Sequence, residues 1–165
     1  MKTNLREFQE RLSGRLQRSG DDGAQTNRLG VESAGEPWLI DLHDAAEVCA
    51  VPSLTPVPWC QAWLLGVASL RGNLITVVDF AIWRGLGSTR LARASVVVLH
   101  ERLGISSALV VDKVLGLQAA TAVATPSESC RPWATQQFRN SAGRTMMQLD
   151  LAVLAKESAF LNAAR

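Results

Sequence analysis

From Arg28 onward the chain is written in short apolar runs separated by turn residues. Leu29–Val31, Trp38–Ile40, Val48–Val51, Leu74–Val78, Val96–Leu99, Ala108–Val111 and Met146–Leu149 are each of strand length, and several are rich in valine. Gly35-Glu36-Pro37, Arg71-Gly72-Asn73 and Leu103-Gly104 punctuate these runs as turns, the last two placed like hairpin connections. The window Pro52-Ser-Leu-Thr-Pro-Val-Pro58 lacks three backbone donors, so it predicts an extended crossing segment outside any ladder. Two stretches have helical spacing instead: Ala62 to Ser69, and Asp150 to Ala164 with Leu151, Leu154 and Leu161 on one broad face. Ahead of all this, Leu5, Phe8, Leu12 and Leu16 recur at spacings of three and four with charges opposite them, predicting an amphipathic helix over residues 4–18. Ser19-Gly20-Asp21-Asp22-Gly23 ends it, and a polar linker runs to Asn27. The pattern therefore divides the chain into a helix and linker over residues 1–27 and a mainly β domain over residues 28–165. The helix either packs on its own domain or docks on another protein.

Composition narrows the class. With 165 residues and 47% hydrophobic side chains, the chain is long enough to bury a core without disulfides or metals. The longest apolar stretch, Ala62 to Ala68, falls far short of the about 20 residues that cross a bilayer as a helix. Charged residues interrupt Met1 to Gln17 where a signal peptide needs a continuous apolar region, so a cytoplasmic location is expected. Cys49, Cys60 and Cys130 have no CxxC spacing and read as buried small hydrophobes. Residues 1–28 hold six bases and four acids, and the remainder holds eleven of each, so the net charge of +2 sits entirely in the tail. A nucleic-acid-binding barrel, which needs a concentrated basic stripe, is disfavoured.

Catalytic machinery is not legible. His43 and His100 stand in unrelated contexts, without the spacing that puts two ligands on one face. A small hydrolase assembling Ser, His and Asp in the fold would need one of them at a cleft, and no Gly-x-Ser-x-Gly elbow presents a nucleophile. Gly85-Leu-Gly87-Ser88-Thr89-Arg90 lacks the Gly-Lys-Ser/Thr ending of a phosphate loop. Asp41, Asp44 and Glu47 are spaced by three, yet nothing completes a metal site of hard oxygen ligands. No catalytic residue, cofactor or metal is expected, and a binding role is favoured over an enzyme.

The string Trp63-Leu64-Leu65-Gly66-Val67-Ala68-Ser69-Leu70-Arg71-Gly72-Asn73-Leu74-Ile75-Thr76-Val77-Val78-Asp79-Phe80 resembles the central signature of CheW-like domains, the coupling adaptors of bacterial chemosensory arrays. Thr55-Pro56-Val57-Pro58-Trp59, Leu109-Val110-Val111-Asp112-Lys113-Val114-Leu115-Gly116 and Met147-Gln148-Leu149-Asp150-Leu151 agree in order, so the resemblance covers residues 29–160. The N-terminal stretch Leu5 to Leu16 is similar to that of the pilus-associated branch of the family, which serves twitching motility. The resemblance implies two small interlocked five-stranded, SH3-like β-barrels with a C-terminal helix. It also implies a hydrophobic groove between them for a methyl-accepting chemoreceptor tip, and a surface on one barrel for the regulatory domain of a CheA-type histidine kinase. The protein would catalyse nothing, insert into no membrane, and be recruited from the cytoplasm to receptor arrays at the inner membrane or cell pole.

Carried over by position, the resemblance implies partner-binding roles for Ala45, Glu47, Arg71, Ala108 and Leu117, with Glu47 and Arg71 forming an ion pair beside the receptor groove. An arginine fork holds a carboxylate bidentately, a reason for Arg over Lys there. Asp79 and Asp112 follow buried runs and are expected to end them by accepting from backbone amides. Trp59, Trp63, Trp83 and Trp133 are additions to the family pattern. Trp59 and Trp63, four apart, would staple the crossing segment to the core, while any tryptophan left exposed becomes a candidate anchor.

Overall fold

The computed structural model describes residues 25–123 and 131–164; the helix expected over 4–18 and Cys130 lie outside these residues. Ten strands carry the described part: β1 Gln25–Ser33, β2 Glu36–Asp41, β3 Ala45–Ala50, β4 Leu64–Leu70, β5 Asn73–Asp79, β6 Ser95–Leu99, β7 Ser107–Val111, β8 Lys113–Ala122, β9 Ala134–Asn140 and β10 Thr145–Leu149. Three single-turn helices accompany them, α1 Phe80–Trp83, α2 Leu151–Leu154 and α3 Ser158–Leu161. Strands β1-β2-β10-β9-β8 close into a barrel, and β3-β6-β7-β5-β4 form a second, five-stranded sheet. The two halves are interlocked by the chain itself, because the barrel takes the first two and last three strands while the sheet takes the five between.

The second half closes differently from the first. No ladder joins its edge strands β3 and β4; instead the Pro-rich segment crosses the gap, with Thr55 N donating to Val67 O at 2.8 Å and Val67 N to Thr55 O at 2.9 Å. Leu54 from that segment and Val51 just before it pack on the sheet's inner cluster of Ala68, Ile75, Val77, Val96, Ala108 and Val110. A larger cluster joins the halves. Leu29, Val31, Trp38, Ile40 and Leu149 of the barrel pack with Val78, Phe80, Val97, Leu99, Leu109 and Val111 of the sheet. Residues that touch the other sheet must lie on the barrel's outer face, which leaves Leu39, Ala120, Phe138 and Met146 to fill its inside. Strand β7 is buried along its whole length because its alternate residues serve two of these clusters.

Several expectations are corrected. Residues 64–70 form strand β4, not a helical turn. A bulge between Leu64 and Gly66 breaks the two-residue alternation that would have marked the strand. The predicted C-terminal helix is two separate turns: Asp150 caps α2 through Val153 N, and the chain tightens when Lys156 N bonds Val153 O. Leu161 consequently points to solvent while Leu151 and Leu154 are buried. Strand β1 begins at Gln25, inside the stretch read as linker. The first turn falls on Ala34-Gly35, with φ of 52° and 75°, and Pro37 sits near the start of β2, where its missing donor is tolerated. Arg71 and Gly72, with φ of 50° and 84°, make the two-residue turn whose twist suits a β-hairpin.

Gly66 is the position where the closure is most exposed to mutation. Its φ is +148°, and a Cβ there would stand 2.4 Å from Thr55 O and 2.9 Å from Thr55 C, both backbone atoms of the crossing segment. Gly66→Ala is therefore expected to cost about 2 kcal/mol or more, since the Pro-rich segment must lift away. Urea unfolding checks this; a midpoint within about 0.5 kcal/mol of the parent would mean that the segment is not held against β4.

Candidate partner-binding surface

Strand pairing decides which side chains share a face. Ala45 lies opposite Leu99 and Val48 opposite Val97 across β3 and β6, and Leu117 lies opposite Leu29 across β8 and β1. Leu99, Val97 and Leu29 all belong to the core shared by the two halves. Ala45 is half-buried against that core, whereas Val48 is 42% and Leu117 57% exposed. Each half thus carries an exposed apolar side chain in register with the shared core, Val48 on the sheet and Leu117 on the barrel, and we refer to the two as an apolar strip. Exposed apolar side chains placed in this way suit an apolar partner surface.

Glu47 points the other way from Val48. It pairs with Val98, which packs on the sheet's inner cluster, and Arg71 Nη2 donates to its Oε1 at 3.0 Å. Because Glu47 sits on edge strand β3 and Arg71 in the β4–β5 turn, the pair ties the sheet's two open edges together. It braces the back of the strand that carries Val48 and does not line the strip. The bond is through one guanidinium nitrogen, so it is not the two-pronged fork expected from Arg. Cys49, next along the strand, is half-buried, and burial together with Glu47 pushes its thiol up from its ordinary value. Arg71 is 77% exposed, so the pair contributes about 1 kcal/mol at most. Arg71→Ala should accordingly leave the melting temperature within about 3 °C of the parent. A loss of about 10 °C in a thermal melt would show that the pair carries the closure of the sheet.

Ala108 is fully buried between Ile75, Val77 and Val110 and has no surface to offer a partner; its partner-contact assignment is withdrawn. Of the four tryptophans added to the family pattern, Trp133 is buried and Trp63 and Trp83 are half-buried against the shared core. Trp63 stacks on Phe160 at 6.2 Å, and Trp83 meets Trp133 at 5.2 Å. Trp59 is 87% exposed, with a left-handed φ of 58°, so the proposed staple to Trp63 does not form. Cys60 is half-buried, and its thiol donates to Val57 O at 3.0 Å.

The acidic trio is already paired. Asp41 accepts from His43, Asp44 takes Nε and Nη2 of Arg102 at 3.0 and 2.6 Å, and Glu47 takes Arg71. Among the described residues no group of three His, Cys, Asp or Glu could hold a metal ion. His43 bonds its neighbour Asp41 and His100 accepts from Arg102 N; neither has a hydroxyl partner among the described residues. The Gly85–Arg90 loop folds onto a carboxylate of the chain itself, with Thr89 N and Oγ1 donating to Asp79. Asp112 Oδ2 accepts from Ala34 N at 2.7 Å. Among the described residues no helix is long and apolar enough to cross a membrane.

Comparison with known proteins adds three findings. The CheW-like domain family matches residues 28–159. Protein PilI of Pseudomonas aeruginosa is 29% identical over 90 residues, which are 54% of this chain and 51% of that protein, so the match spans about half the length of each. The crystal structure of the scaffolding protein TtCheW from Thermoanaerobacter tengcongensis superposes with a TM-score of 0.65 at 19% identity, covering 74% of this chain and 86% of that one, a likeness of fold.

Proposed function

The chain belongs to the CheW-like domain family, and on that premise we propose that it is a non-catalytic adaptor coupling the tip of a methyl-accepting chemoreceptor to the regulatory domain of a CheA-type histidine kinase. The apolar strip carries the reading: Val48 and Leu117 are exposed apolar residues in register with the shared core, one from each half, and Ala45 packs on the same core. The receptor tip docks there. Glu47 and Arg71 serve the site indirectly, by fixing β3 against the β4–β5 turn so that Val48 is held in place. The similarity to PilI favours type IV pilus and twitching motility over flagellar output. The adaptor works in the cytoplasm, recruited to receptor arrays at the inner membrane or cell pole.

Coupling asks for modest affinity toward each partner, raised when both are engaged together. Arg71→Ala, or Glu47→Lys with its added charge repulsion, is expected to weaken receptor binding severalfold while the fold persists. Binding of a receptor-tip fragment followed by calorimetry, beside a thermal melt of each variant, separates the two effects. Loss of binding in step with loss of folded protein would mean that the pair has no role specific to the site.

A further inference from the structure

On the side of the barrel, between β2, β9 and β10 and the segment that follows α1, opens a cleft of roughly 390 Å³ whose lining includes Trp38, Arg84, Leu86, Arg131 and Met147. It shares no residue with the Val48–Leu117 strip. The Arg84 side chain is only 1% exposed. Its Nη1 donates to Glu36, its Nη2 donates to Ser33 O at 2.9 Å and Ser33 Oγ at 3.2 Å, and its plane lies 4.9 Å from the Trp38 ring and 4.7 Å from the Phe80 ring. Two buried donors are left over: among the described residues Arg84 Nε and Trp38 Nε1 have no hydrogen-bond partner. Buried N–H groups without an acceptor are uncommon in native proteins, and two on the lining of one cleft point to an acceptor that arrives from outside.

The charge balance says what kind. Arg84 and Arg131 line the cleft with one carboxylate, Glu36, and Asp112 acts on Arg84 from beyond the lining, so the charge open to an incoming group is the exposed Arg131. Burial pushes the Arg84 guanidinium down from its ordinary value, Glu36 and Asp112 oppose this, and Arg131 adds repulsion that an incoming anion would relieve. Two donors beside the exposed Arg131 suit an anion with two acceptor oxygens, and Leu86 and Met147 suit an apolar body attached to it. The volume lies at the small end of ligand clefts.

We propose that this cleft is a carboxylate-binding site, in which Trp38 Nε1 and Arg84 Nε donate to a carboxylate carrying an apolar body and Arg131 supplies the balancing charge at the mouth. The carboxylate is that of a small aliphatic acid or of an acidic side chain on a protein partner. The test is NMR of the ¹⁵N-labelled full chain, reading the Trp38 indole N–H, assigned with Trp38→Phe, during titration with sodium hexanoate and separately with an N-acetylated Glu-Leu peptide amide. Sodium chloride at matched ionic strength is the control.

A saturating downfield shift with hexanoate assigns the site to free acids; a shift with the peptide alone assigns it to a protein side chain, and either supports the proposal. Arg131→Gln, an exposed change, should weaken that binding about fivefold, whereas Arg93→Gln on the other half should leave it unchanged. Thermal melts verify that both variants are folded. The proposal is overturned if neither carboxylate shifts the resonance, if chloride shifts it equally, or if Arg131→Gln binds as the parent does.

Discussion

Asp79→Ala is expected to lower the free energy of unfolding by about 3 kcal/mol, the largest stability loss among the polar residues considered. Asp79 is buried and ends β5, and its side chain serves two elements at once. Oδ1 caps α1 by accepting from Ala81 N at 2.9 Å and Ile82 N at 3.2 Å; Oδ2 accepts from Thr89 N at 2.9 Å, and the Thr89 hydroxyl donates to Oδ1 at 3.0 Å. Losing a helix cap costs about 1 kcal/mol, and leaving the Thr89 donors buried without an acceptor costs about 2 kcal/mol more. For a domain of this size the melting temperature should fall by roughly 10 °C. Urea unfolding reads the change as a lower midpoint at an unchanged slope. A loss below about 1 kcal/mol would mean that the Gly85–Arg90 loop is not pinned by Asp79.

Leu117→Asp is expected to weaken binding of a receptor-tip fragment at least tenfold, which corresponds to about 1.4 kcal/mol, while the melting temperature stays within about 2 °C. Leu117 is more exposed than buried, so a carboxylate there is hydrated in the free protein and adds little strain to the fold. Against an apolar partner the same carboxylate would have to shed its water without a counter-charge, and that penalty appears only in the complex. Calorimetric titration of parent and variant against one receptor-tip fragment gives the ratio. Equal affinities would remove Leu117 from the interface and leave the strip without its residue on the barrel.

Much of the fold could be read from the chain, and the exceptions have physical causes. Six of the seven apolar runs fall inside strands, and Val48–Val51 overruns the end of β3 by one residue, because each has a face in one of the three clusters. Strands β8 and β9 are not legible as apolar runs, because Gly116 and Gln118 break up the apolar residues of β8 and β9 carries only Ala134 and Phe138; closure of the barrel holds both as strands, with Ala120 opposite Asn140 and Thr121 opposite Arg139. The bulge between Leu64 and Gly66 destroys the alternation of β4 and leaves a helical spacing in the sequence of a strand.

The candidate site was less legible. Resemblance brought Glu47, Arg71 and Leu117 forward, but only strand register tells that Glu47 and Val48 face opposite ways and that Val48 belongs to the strip. The same register sends Ala108 into the core. The carboxylate cleft had no sequence signal at all. Trp38, Arg84 and Arg131 are far apart along the chain and belong to no common motif, and only the packing of the segment after α1 on the barrel brings them to one lining.

The adaptor account stands on simultaneous engagement of two partners. Its most direct test is to mix the purified chain with the regulatory domain of the CheA-type kinase and a receptor-tip fragment from the same cells, and to weigh the products by light scattering after size exclusion. The account predicts a ternary complex containing all three chains, from which the receptor fragment is lost when Leu117→Asp replaces the parent. Two binary complexes that compete for the chain, or no complex with either partner, would contradict it.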